Sequence, residues 1–491
     1  MYVVKDTLEP EDWSEFRKLG HKMMDDTIDF LEKIRSSSYS PPTDESIKEL
    51  MAPLSNEGEG AEKTYEIFRK YYLPHTVRVI SPHFWGFVVG TSSPFAMLSS
   101  MLSASINTVD FAFSVHDIIY KQSLNWIKEM LDFPEEASGV FVSGGSEANF
   151  TGLAVARNAK AEVDMKRKGM QNVSRQMILY CSEEAHDCLD RSVELLGLGN
   201  EALRWIPTNE KHQLNIHALE KEIQLDRAKG LYPFCVIGTA GSVHTGAFDD
   251  LNTLADLCER ENLWFHVDGA FGSWIKLSET HRGLADGLER ADSVAVDLHK
   301  WMNMPYAIAC TLVKDKRAHF STFVYGHDAE YLESAIEEMG NVMENPINLS
   351  LALARAPYSF KAYMLLRAFG KDKYSRIIQK NLEDISYLAD LIKKEPHMEL
   401  MAPVTSNIVC FRYRLDGLTV SEVDDLNKAI MMELWKINPM MVTDTTVKGK
   451  YMLRVCNVNN KTQREDFDWL IGEVRKAGEK HVLTLNTHKV I

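Results

Sequence analysis

The chain has 491 residues, of which 45% are hydrophobic, so it can form a sizeable core, and its length suggests two or three domains. Its formal net charge of −15, without a basic cluster, argues against a nucleic-acid partner or an anionic membrane surface. No run of about 18 apolar residues predicts a membrane span and the first residues form no signal-peptide pattern, so we expect a cytoplasmic protein.

The first predicted element is an amphipathic helix over residues 10–35. Its apolar side chains recur at helical spacing and fall near one face: Trp13, Phe16, Met23, Thr27, Ile28, Leu31 and Ile34. A face of this kind ordinarily packs on the protein's own core. Pro41 and Pro42 interrupt the helical pattern that precedes them.

The next motif is a strand, a glycine turn and a helix start in succession. A short apolar strand over residues 139–142 is followed by Ser-Gly-Gly-Ser at 143–146, and residues 148–157 have a helical pattern rich in Ala and Leu. Free backbone N–H groups at a helix start bind phosphate, and glycine lets the backbone approach it. Gly-Gly-Ser alone is also typical of a flexible turn. The three parts together favour a phosphate site at Gly145 and Ser146.

From about residue 115 to 315, apolar strands alternate with helical stretches. Strands are predicted near residues 139–142, 177–181, 234–239, 264–268, 292–296 and 308–313, and helices near 185–196, 217–229 and 250–261. This alternation predicts a mostly parallel sheet covered by helices on both faces. Such sheets bind ligands at the carboxyl ends of their strands.

Two of these strand ends carry a reactive pair. Asp268 ends one apolar strand, and Lys300 follows the next strand in the segment Asp-Leu-His-Lys-Trp at 297–301. A lysine can form a Schiff base with the aldehyde of pyridoxal phosphate (PLP), and an aspartate can keep the pyridine nitrogen protonated so that the ring accepts electrons. Taken separately, a His-Lys pair is ordinarily a solvated loop and an aspartate at a strand end is often a turn residue. Together with the phosphate site, they predict PLP bound covalently at Lys300.

The remaining pattern predicts a second, smaller domain. Beyond residue 372 it consists of a helix over 375–395, a strand near 407–413, a helix over 421–436, a strand near 451–456 and a helix over 462–481. We therefore predict an N-terminal helical segment at 1–85, a large PLP-binding domain at 86–371 and a small C-terminal α/β domain at 372–491. Seven scattered cysteines without metal-ligand spacing are predicted to be reduced core residues, and no metal is expected.

The order of these motifs resembles the group II PLP-dependent amino acid decarboxylases, with the aromatic-L-amino-acid decarboxylases as the nearest branch. The resemblance covers roughly residues 10–480 and is carried by five motifs: Ser-Gly-Gly-Ser-Glu-Ala-Asn at 143–149, Ala-His at 185–186, Gly-Thr-Ala-Gly-Ser at 238–242, His-Val-Asp-Gly-Ala at 266–270 and His-Lys-Trp at 299–301. It implies the PLP-dependent transferase fold (fold type I, aspartate aminotransferase-like). It also implies a homodimer, with the first helix packed across the interface, and a small amino acid substrate.

The resemblance also implies roles for individual residues. His186 would stack on the pyridine ring and could relay protons, Ala270 would lie beneath the opposite ring face, and His299 would neighbour the phosphate and the Lys300 imine. Tyr331 falls where the family has a loop that closes over the site, and it would donate a proton to the substrate α-carbon after carbon dioxide leaves. Relatives with phenylalanine there tend to make aldehydes by oxidation, so Tyr331 favours amine formation. The acidic stretch itself is equally typical of a solvated helix and loop.

Residues 81–90 resemble the family's substrate-pocket segment, and their aromatic side chains suit either an aromatic substrate or a structural core. The chain departs from the family pattern at about Val79, where a tryptophan is usual, at Val243, where a hydroxyl is lost, and at Tyr358, where only Arg355 remains of two arginines. We expect decarboxylation of an L-amino acid, with an aromatic substrate favoured. The alternatives are decarboxylation of a different amino acid, oxidative deamination to an aldehyde, and a catalytically silent relative.

Overall fold

The structure is a computed structural model that describes residues 7–110, 115–324 and 345–488. Its α-helices are α1 (Trp13–Glu32), α2 (Asp44–Leu50), α3 (Ala61–Ile67), α4 (Pro94–Ile106), α5 (Val115–Met130), α6 (Gly145–Lys160), α7 (Met165–Lys168), α8 (Cys188–Leu195), α9 (Ile216–Ala228), α10 (Leu251–Glu261), α11 (Lys316–Phe323), α12 (Tyr358–Lys394), α13 (Val420–Leu434) and α14 (Arg464–His488). Its strands are β1 (Ser138–Val142), β2 (Met177–Ser182), β3 (Leu203–Ile206), β4 (Tyr232–Thr239), β5 (Trp264–Asp268), β6 (Ser293–Asp297), β7 (Ala309–Val313), β8 (Met398–Leu400), β9 (Ile408–Tyr413), β10 (Thr443–Val447) and β11 (Lys450–Cys456).

The larger sheet has seven strands in the order β1-β7-β6-β5-β4-β2-β3. Strand β7 runs antiparallel to both of its neighbours, whereas the β2–β3, β2–β4, β4–β5 and β5–β6 pairs are parallel. Six strands therefore point in one direction and place their carboxyl ends at one edge. The strands are buried nearly throughout, as in sheets covered on both faces. This confirms the predicted mostly parallel sheet.

Helix α6 lies across the middle of this sheet and is held by a buried histidine of β5. The His266 ring lies between Asn149 of α6, at 2.8 Å from its Oδ1, and Ser293 of β6, at 2.7 Å from its Oγ. Gly152 makes the close approach possible, because a Cβ atom there would lie 2.6 Å from the His266 ring. The helix start is thereby fixed above the strand ends.

The smaller sheet is antiparallel, in the order β10-β11-β9-β8, and packs against α13, α14 and the second half of α12. Helix α12 is interrupted at Gly370, whose φ of 68° is readily adopted only by glycine. Before the break Phe369 contacts Phe95, and after it Leu388 joins the core of the small sheet. A separate small sheet confirms that part of the fold prediction, while the residue boundaries of the domains stay a prediction.

The segment at residues 83–87 adds its backbone to the small sheet, although it lies some 300 residues earlier in the chain. The Trp85 N–H donates to the Met441 carbonyl at 2.7 Å, and the Trp85 carbonyl accepts from the Cys456 N–H at 3.0 Å. The Trp85 side chain is fully buried among the small-sheet residues, and its indole N–H donates to Thr462 at 3.1 Å. The small sheet is thus completed by a distant part of the chain.

The predicted N-terminal helix appears as α1, followed by a short 3-10 turn at Ile34–Ser36. None of the α1 residues is buried within the chain. Its large apolar side chains remain well exposed: Trp13, Phe16, Met23 and Ile28. The face predicted from the sequence is therefore present, but in a single chain these four side chains are not packed on a core.

The seven cysteines are all buried and none is in a disulfide, as predicted. Several of them, including Cys181 of β2 and Cys235 of β4, lie within the main hydrophobic core. Within the three described ranges, we find no helix with the length and apolar character that crossing a membrane requires.

Candidate active site

A cavity of about 520 Å³ opens at the carboxyl ends of β4, β5 and β6. Four residues predicted from the sequence line it together: His186, Asp268, Ala270 and Lys300. Gly145, Ser146 and His299 lie beside this cavity and not in its wall. A larger cavity of about 700 Å³ lies against α1 and contains none of these residues.

The first turn of α6 forms an open set of backbone donors. Its N-cap, Gly144, is extended and provides no side-chain acceptor, and the Ala148 N–H is the one that bonds back to the Gly144 carbonyl, at 2.9 Å. The N–H groups of Gly145, Ser146 and Glu147 therefore have no partner within the helix, as at any helix start. With the positive end of the helix dipole, they suit a phosphate.

Asp297, at the end of β6, lies directly beneath this turn. Its side chain is 1% exposed, and a Cβ atom on Gly145 would come within 2.8 Å of Oδ2. Oδ2 lies 2.8 Å from Lys300 Nζ and 3.6 Å from His299 Nε2. Burial would lower the pKa of Lys300, but the Asp297 and Asp268 carboxylates outweigh it and hold that pKa above its usual value. Lys300 is therefore an ammonium group when no aldehyde is bound.

Asp268 is placed at the end of β5, next to Lys300 in the cavity wall. Its carboxylate is buried, and Oδ1 accepts a hydrogen bond from the Ala270 N–H at 3.1 Å. That bond, and the turn it closes, fix the direction of the carboxylate. Ala270 is also buried and presents only a methyl group to the cavity.

His186 is exposed to the cavity, and one contact identifies which of its ring nitrogens is an acceptor. Nδ1 lies 3.0 Å from the Cys188 N–H, which can only donate, so the ring proton of the neutral imidazole is on Nε2. The preceding Glu184 is buried and anchors the facing loop, because Oε2 accepts from Ser242 at 3.0 Å and from Thr245 at 2.8 Å. The loops after β2 and β4 are thereby held together.

His299 lies beside both the phosphate-binding turn and Asp297. Its Cε1 lies 3.5 Å from where a Cβ on Gly144 would be, and its ring is 4.4 Å from that of Tyr306, centre to centre. Burial is the main cause that lowers the pKa of His299. The ring is therefore neutral near pH 7. Tyr331, the predicted proton donor, lies outside the residues that the structure describes.

Sequence reasoning missed Arg454 of β11, which lines the cavity from the small sheet. The side chain is 3% exposed, and Nη1 donates to the Phe87 carbonyl at 3.0 Å. Among the described residues, Nε and Nη2 have no hydrogen-bond partner. The sequence signal was an arginine within the apolar strand pattern at 450–456, where a buried charge is rare.

His244 was also missed, and it connects the two sheets across the cavity. Its Nδ1 lies 2.8 Å from Thr445 Oγ1 on β10, and burial lowers the pKa of the ring. Either atom of this hydrogen bond can be the donor, so the contact fixes the orientation of the ring and not its tautomer. No local pattern pointed to this residue.

Arg355, by contrast, does not reach the cavity. It is buried beside the phosphate-binding turn, where it donates to the Phe141 carbonyl at 3.2 Å and to Ser350 at 2.8 Å. It therefore supports the end of β1. Tyr358, at the neighbouring family position, begins α12.

Comparison with known proteins agrees with this geometry. The family model described as the pyridoxal-dependent decarboxylase conserved domain matches residues 45–414. An aromatic-L-amino-acid decarboxylase from Bacillus atrophaeus is 30% identical over 475 residues, which cover 95% of this chain and 96% of that protein. An acidic amino acid decarboxylase from Homo sapiens is 29% identical over 454 residues, which cover 90% of this chain and 86% of that protein.

The crystal structure of Oryza sativa TDC with PLP and tryptamine superposes with a TM-score of 0.88 at 24% identity, covering 97% of this chain and 100% of that one. At this identity the likeness is evidence for the fold alone. It confirms the predicted combination of a mostly parallel sheet with a small C-terminal domain.

Proposed function

The chain belongs to the pyridoxal-dependent decarboxylase family, whose members remove carbon dioxide from amino acids, and from this premise we propose that its substrate is an aromatic L-amino acid. Its fold is the PLP-dependent transferase fold, and its cofactor is PLP. The observation that carries the substrate proposal is the apolar wall of the cavity beside Lys300, formed by Phe87, Val88 and Val243. The 30% identity to an aromatic-L-amino-acid decarboxylase supports it.

The described residues fit PLP. A Cβ atom on Gly145 would lie 2.8 Å from the Asp297 carboxylate, so glycine is what lets α6 begin this close to the end of β6, and Thr239 Oγ1, in the cavity wall, is buried without a partner in the described part of the chain. We assign the phosphate to the first turn of α6, with His299 beside it, the ring nitrogen to Asp268 and the covalent link to Lys300. When bound, the cofactor supplies an electron sink for the electron pair left as the carbon–carboxylate bond breaks.

The side chains that line the cavity then have distinct proposed roles. Asp268, fixed by the Ala270 N–H, holds a proton on the pyridine nitrogen and keeps the ring positively charged. Lys300 would hold the cofactor covalently through its Nζ amine in the cavity wall. His186 presents its Nε2–H to the cavity, where it can hydrogen-bond the substrate or exchange a proton with it. Ala270, with only a methyl group, would leave room for the cofactor in the cavity.

Tyr331 is proposed as the residue that delivers a proton to the substrate α-carbon. That step decides between two products, because protonation gives the amine, whereas reaction with oxygen gives an aldehyde and peroxide. Oxidative deamination is therefore the alternative reaction. The proposal rests on the family resemblance of residues 327–332.

The position of Arg454 in the cavity wall favours a second candidate substrate, an amino acid with an acidic side chain. Carbon dioxide is neutral, so a cation bound to the departing carboxylate would stabilise the substrate more than the transition state. The two unpartnered nitrogens of Arg454 are better suited to a carboxylate that stays on the substrate. A relative named as an acidic amino acid decarboxylase is 29% identical.

We also propose a homodimer and a cytoplasmic location. In addition to the exposed apolar side chains of α1, Met101 and Ile106 of α4 and Ile118 of α5 are exposed. So much exposed apolar surface is typical of an interface with another protein copy. The net charge of −15 supports the absence of nucleic-acid and membrane partners.

The test is an assay of carbon dioxide and amine release from each common amino acid, with PLP added and with cysteine sulfinate and 3,4-dihydroxyphenylalanine included. The highest kcat/KM is expected for an aromatic substrate, and Lys300→Ala is the control without turnover. Preference for an acidic substrate would select the second candidate. Aldehyde and peroxide in place of amine would show oxidative deamination.

A further inference from the structure

Glu184, on the loop after β2, is a buried carboxylate with three hydrogen-bond donors. It is 4% exposed. Oε2 accepts from the hydroxyls of Ser242 and Thr245, and Oε1 accepts from the Nδ1–H of His212. A buried carboxylate is costly without such partners, so the folded protein keeps these bonds. They join the loop after β2 to the loop after β4 and to the segment that leads to α9.

The Ser242 hydroxyl connects this carboxylate to the backbone of His244. Ser242 Oγ donates to Glu184 and accepts from the backbone N–H groups of His244, at 3.2 Å, and of Thr245, at 3.3 Å. Hydrogen bonds in such a chain polarise one another, and a carboxylate at the end of the chain strengthens them. The carboxylate therefore helps to determine where the backbone of His244 lies.

The loop after β4 is built of turns and carries two residues that line the cavity, Val243 and His244. On the side of the small domain, Ser406 Oγ donates to the Gly246 carbonyl at 2.8 Å. On the side of the large domain, the Glu184 carboxylate holds the loop. A shift of about 1 Å in a group that binds the substrate can reduce catalysis about a hundredfold. The bonds that fix this loop are therefore placed to influence substrate binding.

We propose that Glu184 is a positioning residue for the substrate. Its carboxylate holds the loop after β4 so that Val243 and His244 stand where the side chain of the amino acid binds. Glu184 is not itself part of the cavity wall, so it acts through the loop and not by contact with the substrate. The inference rests on the proposed function, because these two residues matter only if the cavity binds an amino acid.

The test measures KM and kcat of the PLP-loaded, full-length protein with its best amino acid substrate. Glu184→Ala removes the acceptor of both hydroxyls and should raise KM about tenfold, with less than about a threefold change in kcat. Glu184→Gln should largely restore the KM of the parent. Its amide oxygen can accept from Ser242 and Thr245, while its N–H donates to His212 in the tautomer that accepts at Nδ1. A lower unfolding temperature of Glu184→Ala with an unchanged KM would show a purely structural role and overturn the proposal.

The two hydroxyls provide the same test from the other side of the contact. Ser242→Ala combined with Thr245→Val leaves the carboxylate in place and should raise KM by a similar factor. Addition of Glu184→Ala to this pair should raise KM little further, because the three groups form one contact. The hydroxyl pair decides the question if Glu184→Ala does not fold. Effects on KM that simply multiply would contradict the proposal.

Glu183 offers a matched control on the same loop. Its Oε1 accepts from the N–H of Thr208 at 2.9 Å and from the hydroxyl of that residue at 2.7 Å, so it holds the loop after β3 in a similar way. Glu183→Ala should keep the KM of the parent. A rise in KM equal to that of Glu184→Ala would mean that any loosened loop has this effect, and the proposal would fail.

Binding of the cofactor and of the amino acid can be measured separately from turnover. The affinity for PLP should not change in Glu184→Ala, because the His186 ring is held by the Cys188 N–H. A parallel loss of PLP affinity would show that Glu184 acts on the cofactor and would overturn the proposal.

The Kd of an aromatic amino acid, measured from the visible absorption of bound PLP, separates this inference from the proposed function. A parent protein that binds the amino acid but releases no carbon dioxide would contradict the proposed function, whereas a higher Kd for Glu184→Ala would still support the positioning role. A parent that decarboxylates the amino acid with the same KM and Kd as Glu184→Ala would do the opposite.

Discussion

His186 and His244 face the same cavity, and each ring is held through Nδ1. The Cys188 N–H donates to Nδ1 of His186, which leaves Nε2–H as a donor for a ligand, and Nδ1 of His244 shares a hydrogen bond with the Thr445 hydroxyl. Arg454 adds two unpartnered nitrogens to the same cavity. The cavity therefore offers the substrate hydrogen-bond donors at one end and an apolar wall formed by Phe87 and Val243 at the other.

Two substitutions separate the contributions of the two ring nitrogens of His244 to substrate binding. Asparagine at 244 keeps a group near the position of Nδ1 and the contact with Thr445, whereas glutamine keeps a donor near the position of Nε2. If Nε2–H binds the substrate, His244→Asn should raise KM about three- to tenfold with little change in kcat, the value of one hydrogen bond, and His244→Gln should be milder. The reverse order in steady-state kinetics would show that the Thr445 contact is what matters.

Replacement of Asp268 by asparagine tests whether this carboxylate is the partner of the pyridine nitrogen. The amide keeps the shape and can still accept from the Ala270 N–H, but it cannot hold a proton on the pyridine nitrogen by charge. Turnover should fall at least about a hundredfold while the protein stays folded and binds PLP. Stopped-flow kinetics and the visible absorption of the bound cofactor measure the two effects. A normal rate would mean that another group holds the ring.

Tyr331→Phe tests the choice between amine and aldehyde. Loss of one hydroxyl should leave the cofactor bound but remove the proposed donor to the α-carbon, so amine formation should fall about a hundredfold. Aldehyde and peroxide should appear in its place. Product analysis with the best substrate of the panel measures all three. Unchanged amine without aldehyde would point to His186 as the donor.

Local sequence was sufficient to predict the residues that stand at strand ends. Asp268, Lys300 and Gly145 each belong to a short motif whose chemistry can be recognised within a few residues. Arg454 and His244 could not be predicted, because they enter the cavity only when the small sheet packs against the large one. Asp297 was visible in its motif, but its burial against Lys300 depends on the depth at which β6 ends.

At the scale of elements, strands with continuous apolar runs were predicted closely and short or polar ones were not. Strand β5 has the predicted bounds, whereas β8 has three residues and β10 alternates buried and exposed positions along an edge. The sequence pattern also could not predict that β7 runs antiparallel to its neighbours, because a buried strand has the same composition in either direction. Helix α12 begins 17 residues before the predicted helix at 375–395.

The contribution of the 83–87 segment to the small sheet can be measured through Trp85. The indole is fully buried and hydrogen-bonded, so Trp85→Ala should lower the free energy of unfolding by about 3–5 kcal/mol. Phe87→Ala is the matched control, because that side chain is 56% exposed and should cost less than about 1 kcal/mol. Urea unfolding followed by tyrosine fluorescence and circular dichroism compares them. Equal losses would contradict the packing argument.

At the scale of the whole molecule, the exposed face of α1 is the feature that a single chain leaves unexplained. The pair Trp13→Glu and Ile28→Glu would place charges on this face, and we expect the double variant to lose the dimer. Lys18→Glu is the control, since Lys18 is exposed on the opposite side of the helix and pairs with Glu15. Sedimentation velocity measures the mass of each. A parent protein that is a fully active monomer would refute the dimer.

The backbone bonds of the 83–87 segment have a consequence for dissection of the protein. A recombinant fragment that begins at residue 372 would contain every strand of the small sheet, yet its core would have a cavity the size of an indole. It would also lack the hydrogen-bond partners of Met441 and Cys456. Such a fragment should aggregate or stay partly unfolded when expressed alone. A synthetic peptide that carries residues 81–90 should restore it in trans, so the two pieces should behave as a complementing pair.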